Sequence, residues 1–389
     1  MNREIWITGI GLVTCLGEGR AAHWAALNGP AVPVVDTDTF APFPVHPLPA
    51  LNLDAQIPRK GDQRQMEPWQ RLGTYAAGLA IDDAGARGLV ADMHLIVAAG
   101  GGERDVAVDE AIAAELAPLP EAEAAPRLNE RLANGLRPTL FLAQLSNLLA
   151  GNISIVHGVT GSSRTFMGEE SAAADAIRIA HARLAEGRGE IALVGGAFEA
   201  QRWDMVLLYA PGDALWQGAP VPLSERQGGG AVLGAMSAFL VLEHAEHARA
   251  RGVRGIALLA AVATDASRRA AQGDSAASAT RLLAGLPIAD APLGILSGDS
   301  GSAVQAEEAR FLAELPRATP RRAGGLIGHG MEASFPAQVA LAATAIEAGG
   351  FYPPLDPADP PAATVPRQIL VTGFGMFRGE ALALLEPAS

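Results

Sequence analysis

Short apolar runs of strand length alternate with amphipathic runs of helix length along the chain, and this alternation constrains the fold more than any other feature. Residues 5–13 read as a buried strand, 71–84 as an amphipathic helix ended by Gly85, and 94–99 as an apolar strand leading into Gly100, Gly101 and Gly102. An apolar helix over 140–150, a helix over 171–185 closed near Gly187, strands over 191–195 and 231–243, and a helix over 244–251 continue the series. Such βαβ alternation predicts an α/β protein with sheets covered by helices. With 389 residues, 49% hydrophobic and 18% charged, the chain can bury one large core or two fused smaller ones.

Ile7-Thr8-Gly9-Ile10-Gly11 and Val371-Thr372-Gly373-Phe374-Gly375 resemble each other from opposite ends of the chain and hint at an internal duplication. The proline-rich stretch 36–64 and the Ala, Pro and Glu-rich stretch 115–127 read as surface excursions within a domain, since the segments they separate continue one βα series. A net charge of −13 disfavours nucleic acid or an anionic membrane as partner, because both need a basic surface. It does not favour an acidic carrier protein either, unless arginines cluster locally. Cys15 is the only cysteine, so an intrachain disulfide and a cysteine-built metal site are excluded, which suits a reducing cytoplasm. The opening MNREIWITGIGLV reads as a first buried strand rather than a signal peptide. No apolar run approaches the roughly 18 residues of a spanning helix, so the chain is expected to be soluble.

Several longer pieces carry a family pattern. They are ITGIGLVTCLG at the start, PTLFLAQLSNLLAGNISIVHGVTG up to Gly161, and GSSRTFMGEESAAADAI after it. ARLAEGRGEIALVGGAFEA, GGAVLGAMSAFLVLEHAEHARARG, the Gly328-His329 pair and GFGMFRGEALALLE follow. In content and order these resemble the β-ketoacyl-acyl-carrier-protein synthase family of the thiolase fold over nearly the whole chain. The resemblance implies two similar βαβαβ-type halves, each with a five-stranded sheet, stacked as a layered αβαβα sandwich. It places the N-terminal half over 1–230 and the C-terminal half over 231–389, and implies a dimer that pairs across strands near the elbow.

The family's chemistry requires a cysteine thiolate at a helix N-terminus, two histidines and a lysine. Aligned on Ala176 and Ile177, the elbow places Glu170 at the cysteine. The first histidine falls on Gly298 in GILSGDSGSAV, with Asp299 beside it; the lysine falls on Gly324; His329 alone is retained. No histidine occurs between His247 and His329 and no cysteine follows Cys15, so a shift of register restores neither group. Cys15, in the turn after the first strand, reads as an inert buried residue.

Glu170, at the start of a helix, is held ionised by the helix dipole. It reads either as a filler that anchors the elbow or as a general base, and His329 either as structural or as a group that polarises a carbonyl with Glu170. Glu169 reads as solvent-facing or interfacial. Thr139, Leu140 and Phe141, with Phe166 and Met167, fall where the resemblance implies a partner's acyl tunnel and the dimer contact, core packing being the alternative. Phe374 matches the family's gating phenylalanine, although Met376, Phe377 and Arg378 after it depart from the small and polar pattern. His244 and His247 read as a solvated helix face rather than a metal site, and Gly100, Gly101 and Gly102 as a strand-end turn rather than a phosphate cradle. No metal and no cofactor are expected.

The resemblance therefore implies a non-catalytic subunit similar to chain-length factors, paired as a heterodimer with an active ketosynthase in type II polyketide, aryl-polyene or fatty acid biosynthesis, meeting acyl carrier protein through that complex. The chain would shape the acyl tunnel. The alternative is a stand-alone acyl-thioester decarboxylase or hydrolase using Glu170 and His329.

Overall fold

A computed structural model describes residues 3–30, 32–102, 104–137, 140–266 and 268–389. Ten principal strands are β1 Ile5–Thr14, β2 His94–Ala98, β3 Ser163–Phe166, β4 Ile191–Phe198, β5 Met236–His244, β6 Ala257–Asp265, β7 Leu293–Leu296, β8 Ala318–Arg321, β9 Gln368–Phe374 and β10 Glu380–Glu386. Their hydrogen-bonded order is β3-β2-β4-β5-β1 in the first five and β8-β7-β9-β10-β6 in the last five. Both sets have the same pairing sense, parallel for the first two contacts and antiparallel for the next two. The halves are thus one unit used twice, joined at an edge where Trp6 and Ile7 pair with Leu258 and Ala257.

The duplication differs from the one that the short glycine echo suggested. Ile7–Gly11 lies in β1, the first strand of its unit, whereas Val371–Phe374 belongs to β9, the fourth, with Gly375 just after it. Equal spacing of glycines arose in strands that are not equivalent. Strand β5 pairs with both β1 and β4, so the first set of five strands extends through His244.

Eight helices matter to the site: α1 Pro68–Asp83, α2 Val106–Leu116, α3 Glu121–Gly135, α4 Leu148–His157, α5 Glu169–Ala185, α6 Asp274–Leu283, α7 Gln305–Ala313 and α8 Ser334–Glu347. Helices α1 and α4 cover one sheet, α6 and α7 flank the other, and α5 and α8 touch strands of both units. This is the layered αβαβα arrangement that the resemblance implied.

Local chemistry fixes several boundaries. Helix α1 starts three residues earlier than expected because Pro68 sits at its first turn and Glu67 and Gln70 form a capping box. The expected helix over 140–150 is broken: Leu140–Ala143 forms one turn, and α4 begins at Leu148. The strand expected over 231–243 is regular only from Met236, after a short paired piece at Leu233–Gly234. The stretch 115–127 is the middle of a helical hairpin, with Pro126 inside α3.

Close approach between β1 and α1 depends on missing side chains. A Cβ at Gly11 would lie 1.9 Å from the Ala76 carbonyl oxygen, and one at Gly9 2.4 Å from that of Ala80. Gly11→Ala therefore forces the helix off the strand, and urea unfolding is expected to show a loss of about 1–3 kcal/mol, the usual cost of overpacking.

Candidate functional site

Strand β3 runs through Met167 and Gly168 into α5 by a tight elbow. Gly168 has φ +131° and Glu169 φ +51°, a conformation that non-glycine residues rarely adopt and that concentrates at functional sites. The turn puts Glu170 in the first turn of α5, only 7% exposed. His329 reaches it from the second unit, after the turn at Gly328 that ends Gly324–Ile327. The His329 backbone is pinned on both sides, its N–H to Val232 O at 2.8 Å and its carbonyl to Gly234 N at 2.9 Å.

Glu170 Oε1 and His329 Nε2 are 2.6 Å apart, and the Met376 N–H donates to the same oxygen at 3.1 Å. Burial pushes the Glu170 carboxyl up, but the hydrogen bond and charge of His329 and the amides of Met376 and of Glu170 itself outweigh it and hold it below the usual carboxylate range. Nε2 of His329 then carries the donated proton, and Nδ1 faces Ser334 Oγ at 3.3 Å, which accepts the Gly330 N–H at 2.8 Å. The imidazole is fixed at both nitrogens.

Glu170, Gly298, Gly324 and His329 line one cavity together with Asp299, Met236, Phe335, Gln338 and Phe374. Its volume is about 20 Å³, room for a single water and not for an acyl group. The two glycines are closed by backbone. A Cβ at Gly298 would lie 2.5 Å from the Thr372 carbonyl oxygen, and one at Gly324 2.5 Å from that of Asp299. Neither position admits a side chain unless the neighbouring backbone moves. Asp299 lies close by and burial raises its pKa.

Apart from Phe374, which lines this cavity, the other expected site residues that the structure describes lie away from it. Phe166 is half-buried and packs on Ala98, Ala172 and Ala173. Phe141 and Met167 are 70% and 65% exposed, while Leu140 is buried. Thr139 lies outside the described residues. Phe374 packs against Phe311 at 6.0 Å between ring centroids, in the core of the second unit. The residue whose amide faces Glu170 is Met376, two positions beyond the expected gate. Met376 acts through a backbone N–H, which leaves no side-chain signal to read. Ser334 was also missed, although a serine five residues after His329 at a helix start was a usable signal.

Behind the elbow, Glu332 is buried, and burial and the charges of Glu170 and Glu169 push its carboxyl up to about 7. A carboxyl raised in the fold costs stability as pH climbs from the ordinary value of 4.5 toward 7 and above. Glu332→Gln is therefore expected to flatten the fall of melting temperature between pH 5 and 8, with little effect at pH 5. Gly100 faces this carboxylate, since a Cβ there would lie 2.8 Å from Glu332 Oε1, so the glycine triplet offers no seat for phosphate.

Cys15 donates to Leu326 O at 3.2 Å, and burial pushes its thiol up to about 12, so it carries no thiolate at neutral pH. His244 and His247 turn to different carboxylates, Glu190 at 3.1 Å and Glu243 at 2.6 Å. Among the described residues no group of three or more His, Cys, Asp or Glu is placed to hold a metal ion, and no helix is long and apolar enough to cross a membrane.

The family model for the N-terminal domain of β-ketoacyl synthase matches residues 2–248. The chain belongs to the β-ketoacyl synthase family. The ishigamide ketosynthase/chain length factor superposes with a TM-score of 0.79 at 20% identity, covering 100% of both chains. A β-ketoacyl synthase from Burkholderia phymatum STM815 gives 0.78 at 20% identity, again over 100% of both chains. A type II polyketide acyl carrier protein in complex with its ketosynthase gives 0.72 at 15% identity, with the same coverage. These likenesses show the thiolase-like ketosynthase fold. No curated protein matches the sequence significantly.

Proposed function

We propose that this chain is a non-catalytic, chain-length-factor-like subunit that pairs with an active ketosynthase and shapes the acyl tunnel at their interface. The observation that carries this reading is the closed Glu170–His329 pair, bordering about 20 Å³ where a condensing enzyme needs a thiolate and room for an acyl thioester. A carboxylate cannot form the acyl-thioester intermediate of a decarboxylative condensation. The backbone that fills the space at Gly298 and Gly324 supports the same reading, since the histidine and lysine that the family resemblance places there have no room.

The open edge of the sheet supports a partner. In the second unit, Arg321 of edge strand β8 is buried and donates to the carbonyls of Tyr352 and Pro360, so the segment that carries them packs against that strand. In the first unit β3 is an edge strand with Ser163 and Arg164 exposed and the apolar Met167 just beyond it. An uncovered strand edge beside apolar side chains is a site for strand addition by another chain. The implied pathways are type II polyketide, aryl-polyene or fatty acid biosynthesis, with acyl carrier protein meeting the complex through the ketosynthase.

The test is coexpression with the ketosynthase encoded beside this chain, native mass spectrometry of the purified material, and elongation assays with and without this subunit. A one-to-one heterodimer whose activity or product length depends on the chain is expected. A homodimer that turns over malonyl thioester on its own would replace this reading with the decarboxylase or hydrolase one.

A further inference from the structure

The helical hairpin of α2 and α3 stands apart from the core. Helix α3 buries none of its residues and α2 buries only Ile112. The two helices pack chiefly on each other, held by Glu115, which accepts from Arg127 at 2.5 Å and from Arg131 at 2.6 Å. Yet α3 is amphipathic, with Leu128 and Leu132 one turn apart along one side and Leu136 following directly on its end. Leu132 and Leu136 join Leu140 and Phe141 in lining an open groove of about 480 Å³.

The surroundings of the groove narrow its occupant. Its rim cations are already matched by the chain's own acids: Arg104 meets Asp109 at 2.6 Å, and Arg137 meets Glu67 at 2.7 Å and Asp105 at 3.8 Å. An acidic carrier protein thus finds no free positive rim, and the surface on offer is apolar. The groove is also continuous with the open sheet edge. Phe141, 70% exposed, leads to Ser146, whose hydroxyl contacts the Met167 sulfur at 3.1 Å, and Met167 follows directly on β3. A chain that adds a strand to β3 passes beside this groove.

We infer that the hairpin is an arm that clasps the partner ketosynthase, its groove receiving an apolar segment next to the strand that pairs with β3. The inference rests on the heterodimer reading above and extends the interface from the sheet edge to an excursion of this chain. The arm keeps its apolar side half-exposed because the covering surface belongs to another molecule.

Hydrogen–deuterium exchange of the purified complex and of the chain alone tests this, together with the variant Leu132→Asp/Leu136→Asp. Backbone amides of α2 and α3 should slow at least about ten-fold in the complex. The variant should pair at least about ten-fold more weakly, as expected for charges placed in a buried apolar contact, while keeping the far-ultraviolet spectrum and melting temperature of the parent. Equal exchange in both states with normal pairing of the variant would overturn the inference and leave the heterodimer standing. Protection already present in the chain alone would assign the groove to a second copy, and protection that appears only on adding carrier protein would assign it there; either overturns the inference. Failure of the parent chain to pair with any ketosynthase would overturn the proposed function and this inference with it.

Discussion

Replacing His329 with alanine should cost the fold about 3–5 kcal/mol in urea unfolding at pH 7, because it leaves the buried Glu170 carboxylate without the side chain that donates to it. The 2.6 Å contact joins α5 of the first unit to the chain just before α8 of the second, so the loss loosens the central helical layer. Glu170→Gln keeps an acceptor for the Met376 amide and should cost about 1 kcal/mol, near the net value of one hydrogen bond. The pH dependence follows from the same pair. A carboxyl held below its ordinary value of 4.5 stabilises the fold above that pH, and the contribution disappears as pH falls through the depressed value. The gap between parent and His329→Ala should therefore narrow in acid, and a gap that stayed constant from pH 7 to pH 3 would contradict the assignment.

Thr165→Pro should leave the isolated chain folded and abolish its pairing with the ketosynthase. Ser162 O and Phe166 O accept from Leu95 on β2 and from Ala99 directly after it, each at 3.0 Å, so by the alternation of a strand Ser163 and Thr165 turn their backbone groups outward. Proline at 165 removes one outward N–H without touching the ladder to β2, a position where an edge strand tolerates it. Native mass spectrometry should show monomer or homodimer in place of heterodimer, with affinity reduced at least about ten-fold. Unchanged pairing would mean that the partner joins elsewhere.

Strand and helix periods marked out an α/β fold with helix-covered sheets, because buried parallel strands such as β2 and β4 are continuous apolar runs and α1 and α5 carry a helical repeat; the layering was implied by the family resemblance alone. The duplication was legible for a different reason from the one that holds. Gly9 and Gly11 are demanded by α1, while Gly373 packs on Phe335, and similar spacing followed from unrelated contacts. The hairpin of α2 and α3 was hidden because its prolines and alanines suggested irregular chain, whereas Pro126 lies in a helix that buries nothing. At the site, the side chains Glu170 and His329 could be named from sequence, and they meet. The Met376 amide, and the backbone that fills the space at Gly298 and Gly324, are main-chain features whose placement depends on strands far apart in sequence.

The most direct test of a scaffold without chemistry is chain elongation by the one-to-one ketosynthase complex in which this subunit carries Glu170→Gln. Turnover and product length equal to those of the parent complex are expected, since Glu170 fills space and bonds the elbow. Turnover lost on that single change, with the heterodimer intact, would contradict the account and make Glu170 a catalytic residue.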